Sequence, residues 1–370
     1  MTATGEHTSL AARKRRAGQR LVIGIDGHTV QPELKELVRE IQPAGFILFA
    51  RNVVEPAQVL ALNRQLAELI PGDLPPLLSV DQEGGRVQRM RAPATVWPAM
   101  RVVGATSEWV AQVATALGLE LRAMGFNLDY APVADVDSNP NNPVIGDRSF
   151  GRDPEMVGRH VAEFTRALQA TGIMACAKHF PGHGDTDLDS HHDLPVVDRD
   201  LAALRRTELP PFRHAIAAKV ASIMTAHVVF PAWDAEWPAT LTPRIQQQVL
   251  RDELGFDGVL FTDDLEMKAV ADRYPLHEQV RRTFLATVDL MLACEKPELQ
   301  LGLFEEMVNQ QQDDLEIERL AVASATRTAA MRQRFSNPIA PTPDLSIVGC
   351  PAHQDLAHAI QERAGRGGIA

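Results

Sequence analysis

Eight short runs of apolar, often β-branched residues recur along the chain. They span residues 21–25, 46–49, 77–80, 128–133, 173–177, 221–225, 258–261 and 289–293. Continuous hydrophobicity, as opposed to strict alternation of apolar and polar residues, is typical of strands that are covered on both faces. The runs are therefore predicted to be the buried strands of a largely parallel sheet.

The segments between these runs repeat apolar residues at helical spacing. Pro32 stands where a first helical turn accepts proline, and Leu34, Leu37, Val38 and Ile41 follow at i, i+3, i+4 and i+7. Further stripes are Val59, Leu62, Leu66 and Leu69, then Val110, Val113, Leu117 and Leu121, then Val161, Phe164 and Leu168. Strand–helix alternation repeated eight times predicts a single-domain α/β fold, a (β/α)8 TIM barrel, with a doubly wound open sheet as the rival.

Polar residues cluster just after the predicted strands. They are Asp26, Arg51, Asp81, Asp135, Asp137, Lys178, His179, His227 and Asp263. In a closed barrel of parallel strands these positions converge on the C-terminal rim, where the catalytic loops lie. The pattern therefore favours a barrel with one active face at that rim.

Residues 20–335 are expected to form this domain. Residues 1–19 are basic and are interpreted as a solvated, disordered lead-in, with a nucleic-acid-binding arm around residues 13–16 as the alternative. Residues 336–370 are expected to be a C-terminal tail that begins with a Pro/Ser-rich linker or strap and ends in one short helix.

Composition narrows the class of protein. The 370 residues carry a formal net charge of −11, which argues against broad binding of nucleic acid. Three cysteines without CxxC spacing indicate neither a disulfide framework nor a zinc knuckle, and free thiols fit a reducing compartment. Because no apolar run reaches the ~18–20 residues of a membrane span, and the first run is shorter than a signal peptide needs, we expect a cytoplasmic protein without a membrane partner.

The segment KHFPGHGDTDLDSHH, residues 178–192, concentrates ionisable groups in a loop after the fifth predicted strand. Its imidazoles and carboxylates could bind a divalent metal. Alternatively, Asp189 and His191 could form a carboxylate–imidazole pair in which the histidine shuttles protons. Residue types and spacing leave both hypotheses open.

The segment VLFTDDLEM, residues 259–267, delivers two carboxylates to the end of the seventh predicted strand. Such a strand end is where a carboxylate nucleophile would be mounted. We expect Asp263 to perform chemistry and Asp264 to cap the following helix.

The segment SVDQEGGRVQR, residues 79–89, places Asp81 at the end of the third predicted strand. Gly84 and Gly85 allow a tight turn before Arg86 and Arg89. Paired carboxylate and guanidinium groups suit a ligand rich in hydroxyl groups.

Over residues 20–335 the chain resembles family-3 glycoside hydrolases, specifically their single-domain β-N-acetylhexosaminidase branch. The motifs that carry the resemblance are GFILFARN, VDQEGGRVQR, IGDRSFG, AKHFPGHGDTDLDSHHDLP, TAHVVFPAWD and LRDELGFDGVLFTDDLEM. Both the last motif and the KHFPGHG…DSH stretch are highly specific, and their order and spacing agree.

The resemblance implies a retaining mechanism through a covalent glycosyl-enzyme, without metal or cofactor. By motif position Asp263 is the expected nucleophile and His191 the general acid/base, with Asp189 as its partner. The groups expected to bind N-acetylglucosamine are Asp81, Arg89, Arg148, Lys178 and His179. His183 and Asp185 are expected to shape the loop, His227 to support Lys178 or Asp263, and Cys294 and Met267 to belong to the core.

The resulting expectation is a monomeric, cytoplasmic exo-β-N-acetylglucosaminidase (a β-N-acetylhexosaminidase) that acts on small muropeptide-type glycosides in peptidoglycan recycling. A phosphorylase of the same family is one alternative, because a neutral imidazole would repel a phosphate dianion less than a carboxylate would. A metal-dependent hydrolase that uses the cluster at 178–193 is a second, and an inactive sugar-binding protein is a third.

Overall fold

Eight parallel strands close into a barrel. The computed structural model describes residues 9–186, 194–336 and 341–367. The barrel strands, in spatial order, are β1 Leu21–Gly24, β2 Gly45–Leu48, β3 Leu77–Val80, β6 Leu128–Asp129, β7 Met174–Phe180, β8 Ser222–Thr225, β11 Val259–Asp264 and β12 Leu290–Ala293, and β12 pairs with β1. The expected (β/α)8 barrel is confirmed, and the open sheet is excluded.

Two antiparallel hairpins stand on loops that leave the barrel strands. One pairs β4 Gln82–Gly84 with β5 Val87–Gln88, and the other pairs β9 Val229–Phe230 with β10 Asp234–Pro238. Because the first hairpin follows β3 and the second follows β8, both rise from the C-terminal rim.

Helices surround the barrel. They are α1 Leu10–Gly18, α2 Pro32–Ile41, α3 Pro56–Leu69, α4 Met100–Val103, α5 Ser107–Ala123, α6 Pro154–Ala170, α7 Leu201–Thr207, α8 Leu209–Ala217, α9 Lys268–Ala271, α10 Leu276–Leu285, α11 Pro297–Asp313, α12 Leu315–Phe335 and α13 Pro351–Gly367. The four apolar stripes identified in the sequence lie on α2, α3, α5 and α6. Within the described ranges, none of these helices combines the length and the apolar composition needed to cross a membrane.

All eight predicted runs contribute a barrel strand, but three differ in extent at their C-terminal ends. β11 runs three residues beyond the predicted end at Phe261 and ends at Asp264. The run 128–133 pairs regularly only through Asp129, because Pro132 has no N–H to donate, and Val133 makes one isolated bridge to Lys178. β7 runs three residues beyond the predicted end at Ala177 and carries Lys178 and His179 within the strand.

The core has two layers, one inside the barrel and one between the strands and the surrounding helices. Along β1, Val22 belongs to the cluster that fills the barrel, whereas Leu21 and Ile23 pack in the larger cluster under the helices. Inside the barrel, Tyr130 and Phe261 meet edge to face with ring centroids 5.4 Å apart. Side chains therefore fill the interior, and a ligand site built from the barrel strands lies at the rim and not inside the barrel.

The expected disorder of residues 1–19 is wrong where the structure describes them, from Ser9 onward. Ser9 caps α1 by accepting a hydrogen bond from the Ala12 amide, and Arg16 lies 2.8 Å from Glu318 on α12. Arg13 pairs with the same carboxylate at 3.4 Å. Because the contacts of α1 are mainly polar and distant in sequence, its apolar pattern is too weak to predict the helix.

The end of the chain is more extensively folded than the expected tail. α13 has 17 residues and packs against α4 and α5, and Ile360 is fully buried in the main core cluster. The segment 341–367 is therefore part of the packed structure.

Candidate active site

A cavity of about 170 Å³ opens at the C-terminal rim of the barrel. It is lined by Ile47, Phe49, Asp81, Glu83, Val87, Arg89, Val144, Arg148, Lys178, His179, His183, Met224, Asp263, Asp264, Met267, Leu292 and Cys294. Six of the eight residues expected to act at the site are among them. Asp26 follows a barrel strand as predicted, but its side chain is mostly exposed and pairs with Arg51 outside the lining.

An ionic cluster forms one part of the lining. Lys178 Nζ lies 2.7 Å from Asp81 Oδ1 and 2.6 Å from Glu83 Oε1. Arg89 donates to the other oxygen of Asp81 at 3.2 Å. Arg148 makes a two-point contact with Glu83, with both nitrogen–oxygen distances 2.8 Å. The cluster therefore brings together sequence segments that lie far apart along the chain.

The cluster keeps its charges despite burial. Burial disfavours the charged form of Glu83, but Arg148 and Lys178 outweigh it and hold the pKa of this carboxyl well below its usual range. Burial likewise opposes ionisation of Asp81, and Lys178 and Arg89 leave its pKa lowered. Lys178 is also desolvated, yet the two carboxylates raise its pKa above the ordinary value. These groups are thus fixed hydrogen-bonding charges across the physiological pH range.

Glu83 is a site residue that the sequence analysis did not select. It is almost fully buried, and its carboxylate holds both Lys178 and Arg148. A signal for it exists, because Asp81 and Glu83 stand at i and i+2 of an extended segment and side chains at that spacing project to the same side.

Asp263 lies at the C-terminal end of β11 and lines the cavity. Its Oδ1 accepts the Asp264 amide at 2.8 Å. Burial alone would raise the pKa of Asp263, but His179, His227 and that amide lower it below the usual value. The carboxyl is therefore ionised at neutral pH and exposed to a ligand in the cavity.

Asp264 differs from the expected helix cap. Its Oδ1 accepts the Glu266 amide at 3.1 Å, within the turn that precedes α9, and the side chain lines the cavity. Burial raises the pKa of Asp264 to about 7. Cys294 and Met267, which were expected to be core residues, are buried and also line the cavity. Burial raises the pKa of the Cys294 thiol well above its usual value, so the thiol is not an activated nucleophile.

His179 is held by Asp135, a fully buried carboxylate. His179 Nδ1 lies 2.7 Å from Asp135 Oδ2, and Asp135 Oδ1 accepts the His183 amide at 2.8 Å. His183 lines the cavity in addition to shaping the loop, and its Nδ1 lies 2.9 Å from the Thr186 hydroxyl. Burial and His179 lower the pKa of His183 to about 4, so its imidazole is neutral.

His227 supports the end of β11. Its Nδ1 lies 2.8 Å from the Thr240 hydroxyl, and its Nε2 lies 3.0 Å from the main-chain oxygen of Asp264. Because a carbonyl oxygen only accepts, Nε2 carries a proton. His227 thus acts on the segment that carries Asp263, as one of the two expected roles requires.

Asp189 and His191, the predicted acid/base pair, lie outside the described residues. The same is true of Asp187 and His192, on which the metal hypothesis also depends. Among the residues that the structure does describe, no group of three or more His, Cys, Asp or Glu side chains is arranged to hold a metal ion.

Residues 14–329 match the glycosyl hydrolase family 3 N-terminal domain. The chain belongs to this family. It is 37% identical over 356 residues to β-hexosaminidase A of Pseudoalteromonas piscicida, a match that covers 89% of this chain and 60% of the relative. The chain thus spans less than two thirds of that relative's length.

Two solved structures extend the comparison. A family-3 β-N-acetylglucosaminidase from Paenibacillus sp. str. FPU-7 superposes with a TM-score of 0.87 at 37% identity, covering 95% of this chain and 68% of that one. NagZ from Neisseria gonorrhoeae, in complex with N-trifluoroacetyl-D-glucosamine, superposes with a TM-score of 0.76 at 30% identity, covering 93% and 98%. The chain is a family-3 glycoside hydrolase related to the β-hexosaminidases.

Proposed function

We propose that this family-3 glycoside hydrolase is a retaining exo-β-N-acetylglucosaminidase that removes terminal, non-reducing β-linked N-acetylglucosamine. The observation that carries the proposal is the ionised carboxylate of Asp263 in the same cavity as the ionic cluster. The similarity to a β-N-acetylglucosaminidase, and to a relative crystallised with an N-acylated glucosamine, supports the choice of sugar.

The ionic cluster suits the binding of a sugar. Asp81 can accept hydrogen bonds from hydroxyl groups, and Lys178, Arg89 and Arg148 can donate to sugar oxygens. Because Glu83 and Asp81 already hold these cations at 2.6–3.2 Å, little ordering remains when the sugar binds. His179, held by Asp135, completes the expected set.

In the first step the Asp263 carboxylate attacks the anomeric carbon. The bond from that carbon to the leaving oxygen breaks, and the leaving oxygen takes a proton from His191. The products are a glycosyl ester on Asp263 and the free aglycone alcohol. The role of His191, and of Asp189 in sustaining its charged form, rests on motif position, since both residues lie outside the described ranges.

In the second step water replaces the aglycone. Neutral His191 takes a proton from the water, whose oxygen attacks the same carbon and releases Asp263 as a carboxylate. Two displacements at one carbon restore the original anomeric configuration. Because the first step begins with an ionised Asp263 and the second step ends with one, the lowered pKa of Asp263 suits the cycle.

The natural substrates we propose are small muropeptide-type fragments, processed by a monomer in the cytoplasm during peptidoglycan recycling. The family resemblance carries this part of the proposal. The cavity of about 170 Å³ suits the single terminal sugar that an exo-acting enzyme removes. Comparing turnover of a soluble N-acetylglucosaminyl muramyl peptide with turnover of insoluble peptidoglycan tests it.

The deciding experiment measures hydrolysis of 4-nitrophenyl N-acetyl-β-glucosaminide by wild type, Asp263→Ala and Asp26→Ala. We expect Asp263→Ala to lose about 10⁴-fold or more in kcat, because the nucleophile is gone, while it still binds the sugar. Asp26→Ala removes a carboxylate at another strand end, outside the cavity, and should keep wild-type turnover.

Two further measurements, with added inorganic phosphate and with a chelator, distinguish the hydrolase from the alternative enzymes. Sugar 1-phosphate formed only when inorganic phosphate is present would favour the phosphorylase, whereas free sugar released at a phosphate-independent rate supports the hydrolase. Loss of activity after exhaustive chelation would favour the metal-dependent enzyme. A folded wild type that binds the sugar but turns over nothing would leave the inactive sugar-binding protein.

A further inference from the structure

Residues 341–367, here called the C-terminal strap, lie beyond the part of the chain that matches the family domain. The strap nevertheless packs on α4 and α5, and it buries Ala357 and Ile360 in the main core. It makes a polar contact at Glu120, a residue of α5 that is almost fully buried.

Glu120 joins the strap to the loop after the β4–β5 hairpin. Its Oε1 accepts hydrogen bonds from His353 Nδ1 at 2.8 Å, from the Gly349 amide at 3.1 Å and from the Thr95 hydroxyl at 2.6 Å. Its Oε2 accepts the Thr95 amide at 3.1 Å. Gly349 has a φ of +64°, and a Cβ there would lie 1.8 Å from the oxygen of Pro93, so strap and loop are in close contact.

The same loop holds the hairpin through Trp97. The Trp97 amide donates to Gln88 Oε1 at 2.9 Å, and the Trp97 oxygen accepts from Gln88 Nε2 and from the Gly85 amide, both at 2.9 Å. The His353 ring lies against the buried Trp97, with centroids 6.1 Å apart. Two contacts therefore lead from the strap to the hairpin, one through Thr95 and one through Trp97.

The hairpin carries part of the ionic cluster. Glu83 lies within β4, and Arg89 directly follows β5. Glu83 holds Lys178 and Arg148, and Arg89 contacts Asp81. A shift of the hairpin would thus move Glu83 and Arg89 and alter their contacts with Lys178, Arg148 and Asp81.

We propose that the C-terminal strap is a positioning element for the sugar-binding side of the cavity, acting through His353, Glu120, the loop after the β4–β5 hairpin and the hairpin itself. The inference rests on the proposed function, because it assigns the ionic cluster to sugar binding. It adds a segment outside the family domain to the binding apparatus.

The test compares three variants of the full-length chain. His353→Ala removes the donor to Glu120, His353→Asn keeps a donor near the Nδ1 position, and His358→Ala alters an exposed histidine on the same helix. With 4-nitrophenyl N-acetyl-β-glucosaminide, we expect KM to rise about tenfold in His353→Ala with less than a twofold change in kcat. His353→Asn should recover most of the loss, and His358→Ala should match wild type.

Two readouts that do not need turnover accompany the kinetics. The Kd of N-acetylglucosamine, measured by calorimetry, should weaken about as much as KM. Hydrogen exchange at the amides of Gly85 and Trp97 should accelerate in His353→Ala and not in His358→Ala, because both amides are protected by the bonds that hold the loop to the hairpin.

Unchanged KM, Kd and exchange in a folded His353→Ala protein would overturn the proposal and leave the strap as packing alone. If His353→Ala does not fold, the same three measurements (KM, Kd and hydrogen exchange) on Glu120→Gln decide the proposal. A wild type without turnover or sugar binding contradicts the proposed function, and in that case hydrogen exchange still decides whether the strap holds the hairpin.

Discussion

The barrel buries ionic clusters at both ends, and the cluster at the rim lines a cavity. At the rim, Glu83 lies 2.6 Å from Lys178 and 2.8 Å from Arg148. At the opposite end, directly before β12, Asp289 lies 2.9 Å from Arg251 and 2.7 Å from Arg327. Both carboxylates are buried and both contact two cations.

The clusters differ in what surrounds them. Asp289 also accepts the Leu260 amide at 2.9 Å, and Arg251 donates to the main-chain oxygens of Phe256, Gly258 and Thr287. At the rim, by contrast, the members of the cluster line the cavity; they are Asp81, Glu83, Arg89, Arg148 and Lys178. Burial of a charge cluster therefore does not by itself indicate a binding site, which also needs a cavity that the charged groups line.

The largest effect is expected from Asp289→Ala. The substitution leaves two largely buried guanidinium groups without their carboxylate, which should lower the free energy of unfolding by about 3–5 kcal/mol. Chemical denaturation measures the loss. KM for the chromogenic substrate, measured at low temperature where the variant is folded, should not change. A changed KM with unchanged stability would remove the distinction between the two clusters.

Glu83→Gln should produce the opposite pattern. Lys178 and Arg148 lose their common anchor, and misplacement of binding groups by about 1 Å can cost about 10²-fold in kcat/KM. The free energy of unfolding should fall less than in Asp289→Ala, because Lys178 keeps Asp81 as a partner. Steady-state kinetics and denaturation of the two variants, performed side by side, give the comparison. A destabilised Glu83→Gln with full activity would contradict it.

The smallest effect concerns Asp264, a rim carboxyl whose pKa is raised by burial. Its folded-state pKa of about 7 lies above the ordinary value of 3.8, so the folded protein holds this proton more tightly than the unfolded chain does. The associated stability is complete below about pH 4 and is lost as the pH rises through about 7. In Asp264→Asn this titration is absent.

Thermal unfolding between about pH 5 and pH 8 measures this difference. The Tm of wild type should decline by a few degrees more than that of Asp264→Asn. Asp129 and Glu208, whose pKa values burial also raises, titrate in both proteins and cancel in the comparison. Parallel pH curves for the two proteins would show that Asp264 is already ionised in the folded state.

The sequence predicted the barrel well because its strands carry a strong local signal. Each run is largely apolar and does not alternate regularly with polar residues, as expected of strands buried on both faces, and all eight form barrel strands. The ends of β6, β7 and β11 were predicted less well. Pro132 shortens the ladder of β6, and polar residues at the ends of β7 and β11 hide the extension of these two strands. An apolar run in the sequence indicates which segment is buried, whereas the residue at which a strand ends depends on individual hydrogen bonds.

Contacts between distant segments explain what the sequence did not predict. α1 is held by Arg13 and Arg16 on Glu318, close to the other end of the barrel domain. Glu83 owes its role to Lys178 and Arg148, which reach it from other strands and loops. The sequence around α1 does not reveal its contact with Glu318, and the sequence around Glu83 does not reveal its contacts with Lys178 and Arg148.

By itself the sequence determined the order of strands and helices, the family motifs and the position of two adjacent carboxylates at one strand end. Tertiary structure alone decided how these carboxylates differ. The pKa of Asp263 is lowered by His179 and His227 against the effect of burial, and the pKa of Asp264 is raised to about 7. The reason is physical: ionisation depends on the water lost and on the charges brought near, and both are set by residues remote in sequence.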